Sequence, residues 1–168
     1  NLKKNSASMR VLQIFFFFLT LSCNCYGLIW PTPNPAFANG KSIEDFVQAT
    51  GSGNPSSGLY GLVRNKGKKF HEGLDLYGIK FDTKKVVLDS IFAVLPGKVV
   101  HINEDSSKSR YGIYVVLLHK EGGFNFYSLY AHLDSIDHKL RLNHSIREGA
   151  RLGRMGNSSG GYTIPKSR

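Results

Sequence analysis

The sequence predicts an all-β domain built mainly from antiparallel strands. From Tyr60 onward, short runs rich in β-branched and aromatic residues alternate with turn signals, which is typical of all-β folds. Two of these runs, "YGIYVVLLHK" and "FNFYSLYAHL", are joined by "EGG", which supplies the glycine that a short hairpin turn requires. No segment carries a long helical period, and residues 42–49 are the best short helix candidate. A chain of 168 residues is long enough for one such domain with a core.

Residues 1–27 are predicted to be a secretory signal peptide with some upstream residues. From Met9 the chain reads "MRVLQIFFFFLTLSCNCYG", in which a basic residue precedes a nearly unbroken apolar run. That run is well short of the roughly 20 residues that a bilayer-spanning helix needs, so no stable membrane span is expected. Cleavage is expected after Gly27, with "AFA" at 36–38 as the second choice. We therefore expect export to the periplasm, the cell envelope or the extracellular space.

Cleavage at either site removes both cysteines, so we expect no disulfide in the mature chain. A lipoprotein acylated at Cys23 is the alternative, but "TLSC" fits the leucine-led lipobox poorly. Without residues 1–27 the chain keeps 19 basic and 12 acidic residues, a net charge of +7. Such an excess favours anionic polymers, of which bacterial cell wall is one, but charge alone does not choose between cell wall, lipid head groups and nucleic acid. No run of five basic residues and no nucleic-acid motif occurs, so nucleic acid is not an expected partner.

Residues 28–58 are predicted to form an extended lead-in segment, because "WPTPNPAFANG" and "GSGNPSSG" surround only one short segment. Residues 59–168 are predicted to form the β domain. Its expected strands are 73–77, 90–94, 97–103, 112–119 and 125–132. The stretch "IREGARLGRMGNSSGG" is expected to form a glycine-punctuated segment at the edge of the sheet.

The stretch "FHEGLDLY" places His71 and Asp75 four residues apart. Imidazole and carboxylate both bind zinc at about 2.0–2.2 Å, so the two side chains would have to converge. On an extended strand they would lie roughly 13 Å apart, and the stretch has no helical period. We expect Gly73 to bend the chain through backbone angles closed to other residues, with Leu74 and Leu76 pointing into the core. Taken alone, this spacing is more typical of an ordinary surface or hydrogen-bonded pair.

Taken together with "YAHL" at 130–133, the sequence resembles the lysostaphin and LytM type zinc endopeptidases, which cut peptide cross-links in bacterial peptidoglycan. The resemblance covers about residues 60–164. The motifs that carry it are, in chain order, "HEGLDL", "AVLPGKVVHIN", "YGIYVVLLHKEGGFNFYSLYAHL" and "REGARLGRMGNSSG".

The resemblance implies that His71 and Asp75 bind Zn²⁺ and that His132 is the catalytic residue beside the metal. It also implies an antiparallel β-sheet core with a surface groove for a peptidoglycan peptide. The chemistry suits these residue types, because zinc polarises the scissile carbonyl and lowers the pKa of its bound water. A neighbouring histidine can move a proton or stabilise the developing oxyanion.

The family's third zinc ligand is the second histidine of a "His-x-His" pair after the glycine-rich segment. Here the chain runs "GRMGNSSGGYTIPKSR" and ends without either histidine, so the β domain is expected to be incomplete at its C-terminus. We expect a fragment of an active zinc peptidase that is inactive by itself. The alternative is a noncatalytic LytM-like domain that binds cell wall or regulates a hydrolase. A third hypothesis is a secreted β domain in which His71, Asp75 and His132 never meet.

Other polar side chains in the predicted domain receive simpler roles. His101 and His119 end strand-like runs and are expected to be hydrogen-bonded or at a groove rim, and not zinc ligands. Glu72 is expected to be a solvated carboxylate and not a general base. Strict alternation along the last predicted strand would place Tyr130 on the face of His132, where it could line a peptide groove, and Tyr127 on the other.

Overall fold

The computed structural model of the chain describes residues 27–49 and 53–161, and it confirms an all-β fold. In that part of the chain every strand pairing is antiparallel, and the helical segments are 3-10 helices of three or four residues. The strands are β1 (Gly61–Arg64), β2 (Lys69–His71), β3 (Ser90–Phe92), β4 (Gly97–Asn103), β5 (Ile113–Glu121), β6 (Phe124–Leu133), β7 (Ser135–Ile136), β8 (Ser145–Ile146) and β9 (Arg151–Arg154).

The largest sheet has four strands in the order β6-β5-β4-β8. Its central hairpin joins β5 to β6 through Gly122 and Gly123, whose φ angles are 57° and 84°. Positive φ at both central residues is what a type I′ two-residue hairpin turn requires, and glycine adopts it without steric cost. The hairpin predicted from "EGG" is therefore confirmed, with its two strands as antiparallel neighbours.

A second sheet has three strands in the order β3-β9-β7, which corrects the expected position of the glycine-rich segment. Strand β9 lies in the middle of this sheet and not at its edge. Gly153 pairs with Ile91 on one side and with Ile136 on the other. A Cβ atom at Gly153 would lie 2.2 Å from the carbonyl oxygen of Ser135, so this glycine permits close approach of a neighbouring strand.

The third sheet is the short hairpin of β1 and β2, and two predicted elements near it are wrong. Residues 73–77 do not form a strand, and only an isolated bridge joins Val47 to Leu76. Leu74 is 42% exposed and does not enter the core. The expected helix over 42–49 is reduced to a 3-10 helix at Ile43–Asp45, because the chain then turns to hydrogen-bond with the segment around Asp75.

The main core lies between the four-stranded and three-stranded sheets. Alternate residues of β5 are buried, as expected for a strand with one face on the core. The buried members of this core are Ile91, Ala93, Val99, Val115, Leu117, Tyr130, Leu133, Leu140 and Leu152. The opposite face of the β5–β6 hairpin is open, and on it Tyr127 and Leu129 are 65% and 43% exposed.

The described part of the lead-in segment packs on the β domain. Trp30, Phe37 and Phe46 form an aromatic cluster with ring centroids 4.4 to 5.5 Å apart. The amide of Gln48 donates to the carbonyl oxygen of Asp75 at 2.9 Å. The predicted signal peptide falls outside the described residues, apart from Gly27. No helix among the described residues is long and apolar enough to span a bilayer.

Candidate metal and catalytic site

His71 and Asp75 come together at the end of β2. His71 is the last residue of the strand, and the chain then turns so that Nε2 of His71 lies 3.3 Å from Oδ1 of Asp75. Two donors that each lie about 2.0–2.2 Å from a tetrahedral zinc ion are about 3.3–3.6 Å from each other. The observed spacing therefore fits one edge of a zinc coordination tetrahedron.

Consecutive backbone carbonyls hold this pair in place. The carbonyl oxygen of Leu59 lies 2.8 Å from Nδ1 of His71, and that of Gly58 accepts the amide of Asp75 at 2.8 Å. Because a carbonyl oxygen only accepts, Nδ1 of the neutral ring carries the proton and Nε2 keeps its lone pair. That tautomer is the one that can bind a metal through Nε2, and a carbonyl partner is a common way to fix it.

The second oxygen of Asp75 is occupied by Arg64, a residue that the sequence interpretation missed. The guanidinium of Arg64 donates from a terminal nitrogen to Oδ2 of Asp75 and from Nε to the carbonyl oxygen of Ser57 at 3.2 Å. Arg64 lies on β1, directly across the hairpin from β2. The turn sequence "NKGK" between the strands is the signal that would have placed Arg64 near His71.

The bend between His71 and Asp75 does not arise as expected. Gly73 has no positive φ angle, so it does not use a conformation closed to other residues. A Cβ atom at this position would lie 4.0 Å from Nε2 of His71. An added Cβ would thus make only ordinary van der Waals contact with the imidazole. Hydrogen bonds between residues 46–58 and the segment around Asp75 hold the turn.

His132 is presented by a β-bulge in β6. Val115 pairs with Tyr130 and Ile113 pairs with Leu133, so Ala131 and His132 together oppose one residue of β5, Tyr114. A bulge of this kind re-aims side chains and breaks simple alternation. His132 has a φ of 58°, which is uncommon outside glycine.

The bulge overturns the predicted shared face of Tyr130 and His132. Tyr130 points into the core, is 8% exposed, and accepts a hydrogen bond from the amide of Val94 at 2.9 Å through its hydroxyl. Burial raises the pKa of the Tyr130 hydroxyl. This tyrosine is therefore a core residue and does not line a groove.

Ser158 supports the bulge from the glycine-rich segment. Its carbonyl oxygen lies 2.7 Å from Nδ1 of His132, so the neutral ring again keeps its lone pair on Nε2. Its hydroxyl accepts from the amide of Ile113 at 2.8 Å and donates to the carbonyl of Leu133 at 2.6 Å. Ser158 thus replaces the ladder hydrogen bonds that the bulge interrupts.

Tyr111 contacts both the residue next to His71 and the backbone of His132. Its hydroxyl donates to Glu72 at 2.7 Å, next to His71, and its carbonyl oxygen accepts the amide of His132 at 2.8 Å. Glu72 is exposed, as expected, although its carboxylate is bound by this tyrosine. In residues 27–49 and 53–161, no group of three or more histidine, cysteine, aspartate or glutamate side chains could hold a metal ion.

His101 and His119 have other partners. His119 is 1% exposed, with Nδ1 on the carbonyl of Pro96 at 2.8 Å and Nε2 on the hydroxyl of Ser128 at 2.7 Å. With both nitrogens engaged, it has no atom left for a metal. His101 stacks on Tyr114 and lies 3.1 Å from its hydroxyl.

Comparison with known proteins decides the family. Residues 69–166 match peptidase family M23, which is more than half of the chain. The chain belongs to peptidase family M23. This confirms the resemblance to the lysostaphin and LytM type peptidases and agrees with the antiparallel β fold. No protein of curated function and no solved structure matches the chain.

Membership of family M23 gives the chain a peptidase-family function with a peptide as substrate. M23 peptidases are generally metallopeptidases, which agrees with the chemistry of His71 and Asp75. The M23 match spans both of these residues and His132. It therefore also covers the bulge and the Ser158 segment.

Proposed function

We propose that this M23 chain has the function of a zinc metalloendopeptidase that hydrolyses peptide cross-links of bacterial peptidoglycan, and that it supplies two of the three protein ligands that a catalytic zinc site needs. The observation that carries the proposal is the 3.3 Å spacing of Nε2 of His71 and Oδ1 of Asp75. Zinc binds neutral imidazole and carboxylate groups, and each of these two groups is oriented by a hydrogen-bonding partner elsewhere in the protein. Export, as the N-terminal sequence predicts, would bring the chain to this substrate.

In this proposal His71 and Asp75 hold Zn²⁺, which when bound polarises the scissile carbonyl and lowers the pKa of water. His132 acts as the proton carrier through Nε2, because its Nδ1 is committed to the carbonyl of Ser158. The open face of the four-stranded sheet, with Tyr127 and Leu129, offers a surface on which an extended peptide could lie.

A noncatalytic M23 domain that binds cell wall or regulates a hydrolase is the second candidate. It is favoured by one observation, the absence of a three-ligand group in the part of the chain that the structure describes. A catalytic zinc site needs three protein ligands and an open position, whereas a binding domain does not. Both candidates share the fold and the exposed sheet face, so they differ only in hydrolysis.

The test is to produce the full-length protein and to measure both its bound zinc and its cleavage of purified peptidoglycan. We expect His71→Ala and Asp75→Ala to lose zinc and cleavage, and His132→Ala to retain zinc but lose cleavage. His144→Ala, at an exposed position, is the control and should change neither. Zinc binding without any cleavage by the unaltered protein would support the noncatalytic candidate, and absence of zinc would overturn the metal site.

A further inference from the structure

We propose that Arg64 is a positioning residue for the metal site, which keeps Asp75 in a one-oxygen binding mode and thereby sets the zinc affinity. The inference deepens the proposed function and rests on it. Arg64 takes Oδ2 of Asp75, and Oδ1 is the oxygen that faces His71. The carboxylate is thus divided between a guanidinium on one side and the metal position on the other.

The contact between Arg64 and Asp75 is more than an ordinary surface ion pair. The two side chains are 27% and 25% exposed, so both are largely withdrawn from water. The guanidinium is also tied to the backbone, because its Nε donates to the carbonyl of Ser57 at 3.2 Å. A planar fork with two fixed acceptors has little rotational freedom, and this distinguishes arginine from lysine at such a site.

The backbone that anchors Arg64 also orients both proposed ligands. Carbonyls of Ser57, Gly58 and Leu59 accept, in that order, from Arg64, the amide of Asp75 and the ring of His71. This three-carbonyl segment packs closely against the backbone of Gln48, since a Cβ atom at Gly58 would lie 2.2 Å from the carbonyl oxygen of Gln48. Arg64 and both proposed ligands therefore hydrogen-bond to the same short stretch of backbone.

Two effects of Arg64 on zinc oppose each other. Its positive charge repels a cation, but that charge is compensated by the Asp75 carboxylate that it contacts and is partly screened by solvent. Its orienting effect acts on a terminal torsion of aspartate that is otherwise broad. Partners of metal ligands that act in this way typically change metal affinity by about 10–100-fold when removed. We therefore expect the loss of orientation to dominate.

The experiment measures the zinc dissociation constant of the full reading-frame product by competition with a chromogenic chelator. Arg64→Gln should weaken zinc binding by about 10–100-fold. The zinc affinity of Arg64→Lys should lie between those of the unaltered protein and Arg64→Gln. An ammonium keeps the charge but cannot bridge Asp75 and Ser57 as the guanidinium does. Arg151→Gln is the matched control, since Arg151 also pairs with an aspartate, Asp137, at 2.5 Å.

Thermal unfolding without metal separates positioning from structure. A purely structural role would lower the unfolding temperature of metal-free Arg64→Gln and leave the zinc affinity of its folded form unchanged, which overturns the proposal. Tighter zinc binding by Arg64→Gln would also overturn it, because Arg64 would then compete with the metal. If Arg64→Gln does not fold, an unchanged zinc affinity of Arg64→Lys overturns the proposal. Unaltered protein that takes up no zinc refutes the proposed metal site itself, a distinct result.

Discussion

At the scale of single residues, hydrogen bonds and not residue type separate the proposed functional histidines from the structural ones. His71, His119 and His132 each place Nδ1 on a backbone carbonyl, at 2.7 to 2.8 Å. They differ at Nε2, which Ser128 occupies in His119 and which faces Asp75 in His71. Since Nε2 is the atom that would bind metal or accept a proton, its partner decides which chemistry each histidine can perform.

Tyr130→Phe should lower the free energy of unfolding by about 1–3 kcal/mol, because it leaves the part-buried amide of Val94 without its acceptor. Urea denaturation at neutral pH measures this. Tyr127→Phe is the matched control, since Tyr127 lies on the same strand but is 65% exposed, and its effect should stay within about 0.5 kcal/mol. Equal effects of the two changes would contradict the assignment of Tyr130 to the core.

The individual side chains of the site were only partly predictable. The "HEGLD" stretch identifies His71 and Asp75 as a candidate pair, because ligand types at a short spacing are visible in a sequence. Their closeness depends on carbonyls of residues 57–59, which have no side-chain signature. For the same reason Arg64 was missed, although it contacts Asp75 directly.

At the scale of secondary structure elements, the bulge in β6 is the feature that departs most from simple rules. Alternation predicts which face each residue takes only while the register holds, and here it shifts between Tyr130 and Leu133. Ser158 supplies the hydrogen bonds that stabilise the shift, and it lies 25 residues beyond Leu133. A local pattern carries no information about so distant a partner, so the orientation of His132 could not be read from its own strand.

Gly112→Ala tests the fit between the bulge and Ser158. Gly112 has a φ of 65°, and a Cβ atom there would lie 2.2 Å from the carbonyl oxygen of Ser158. Gly122→Ala, at the other end of β5, has a similar φ of 57° but meets nothing closer than 3.9 Å. Both changes carry the left-handed cost of about 1–2 kcal/mol. We expect an additional loss of about 1–3 kcal/mol for Gly112→Ala alone, measured by urea denaturation.

Gly112→Ala should also reduce any hydrolytic activity, because it displaces the carbonyl that orients His132. Gly122→Ala should leave activity unchanged. Equal losses of stability in the two variants would mean that Ser158 moves aside freely, and the proposed support of the bulge would then be wrong.

The strands themselves were predicted well where their sequence signals are local. The bounds of β4 agree with the prediction for 97–103, and β5 and β6 differ from theirs by one or two residues at each end. Long-range pairing caused the errors. Strand β9 is central because it pairs with β3 on one side and β7 on the other, and both strands lie more than ten residues earlier in the chain. The segment 73–77 failed as a strand because its hydrogen bonds go to the lead-in segment and not to a sheet.

At the scale of the whole molecule, the lead-in segment belongs to the architecture of the site. The backbones of Phe46 and Gln48 hydrogen-bond to the backbone on either side of Leu76. The side chain of Phe46 also belongs to the aromatic cluster with Trp30 and Phe37. The proline-rich and glycine-rich composition of this segment predicts an extended chain but not where it packs. Packing of residues 28–49 thus connects the conformation of the lead-in to the position of Asp75.

The whole molecule should lose stability on acidification. Three carboxylates in separate regions have lowered pKa values: Ser42 lowers that of Glu44, Ser107 that of Asp105, and the amide of Lys139, followed by Arg151, that of Asp137. A lowered pKa in the folded state means that the unfolded chain binds protons more readily. Their stabilisation is therefore present above the ordinary values of 3.8 and 4.5 and is lost as pH falls through the folded values.

Asp137→Asn tests how much Asp137 contributes to this pH dependence of stability. The variant should be less stable than the unaltered protein at pH 7, and the difference should close as pH falls below 3.8, the ordinary value for aspartate. Urea midpoints between pH 7 and about pH 2.5 give both curves. Arg151→Gln should retain much of the dependence, because the amide of Lys139, 2.9 Å from Oδ1, is the main cause of the shift. A difference that stays constant across this range would show that Asp137 stabilises the fold without any change in its proton affinity.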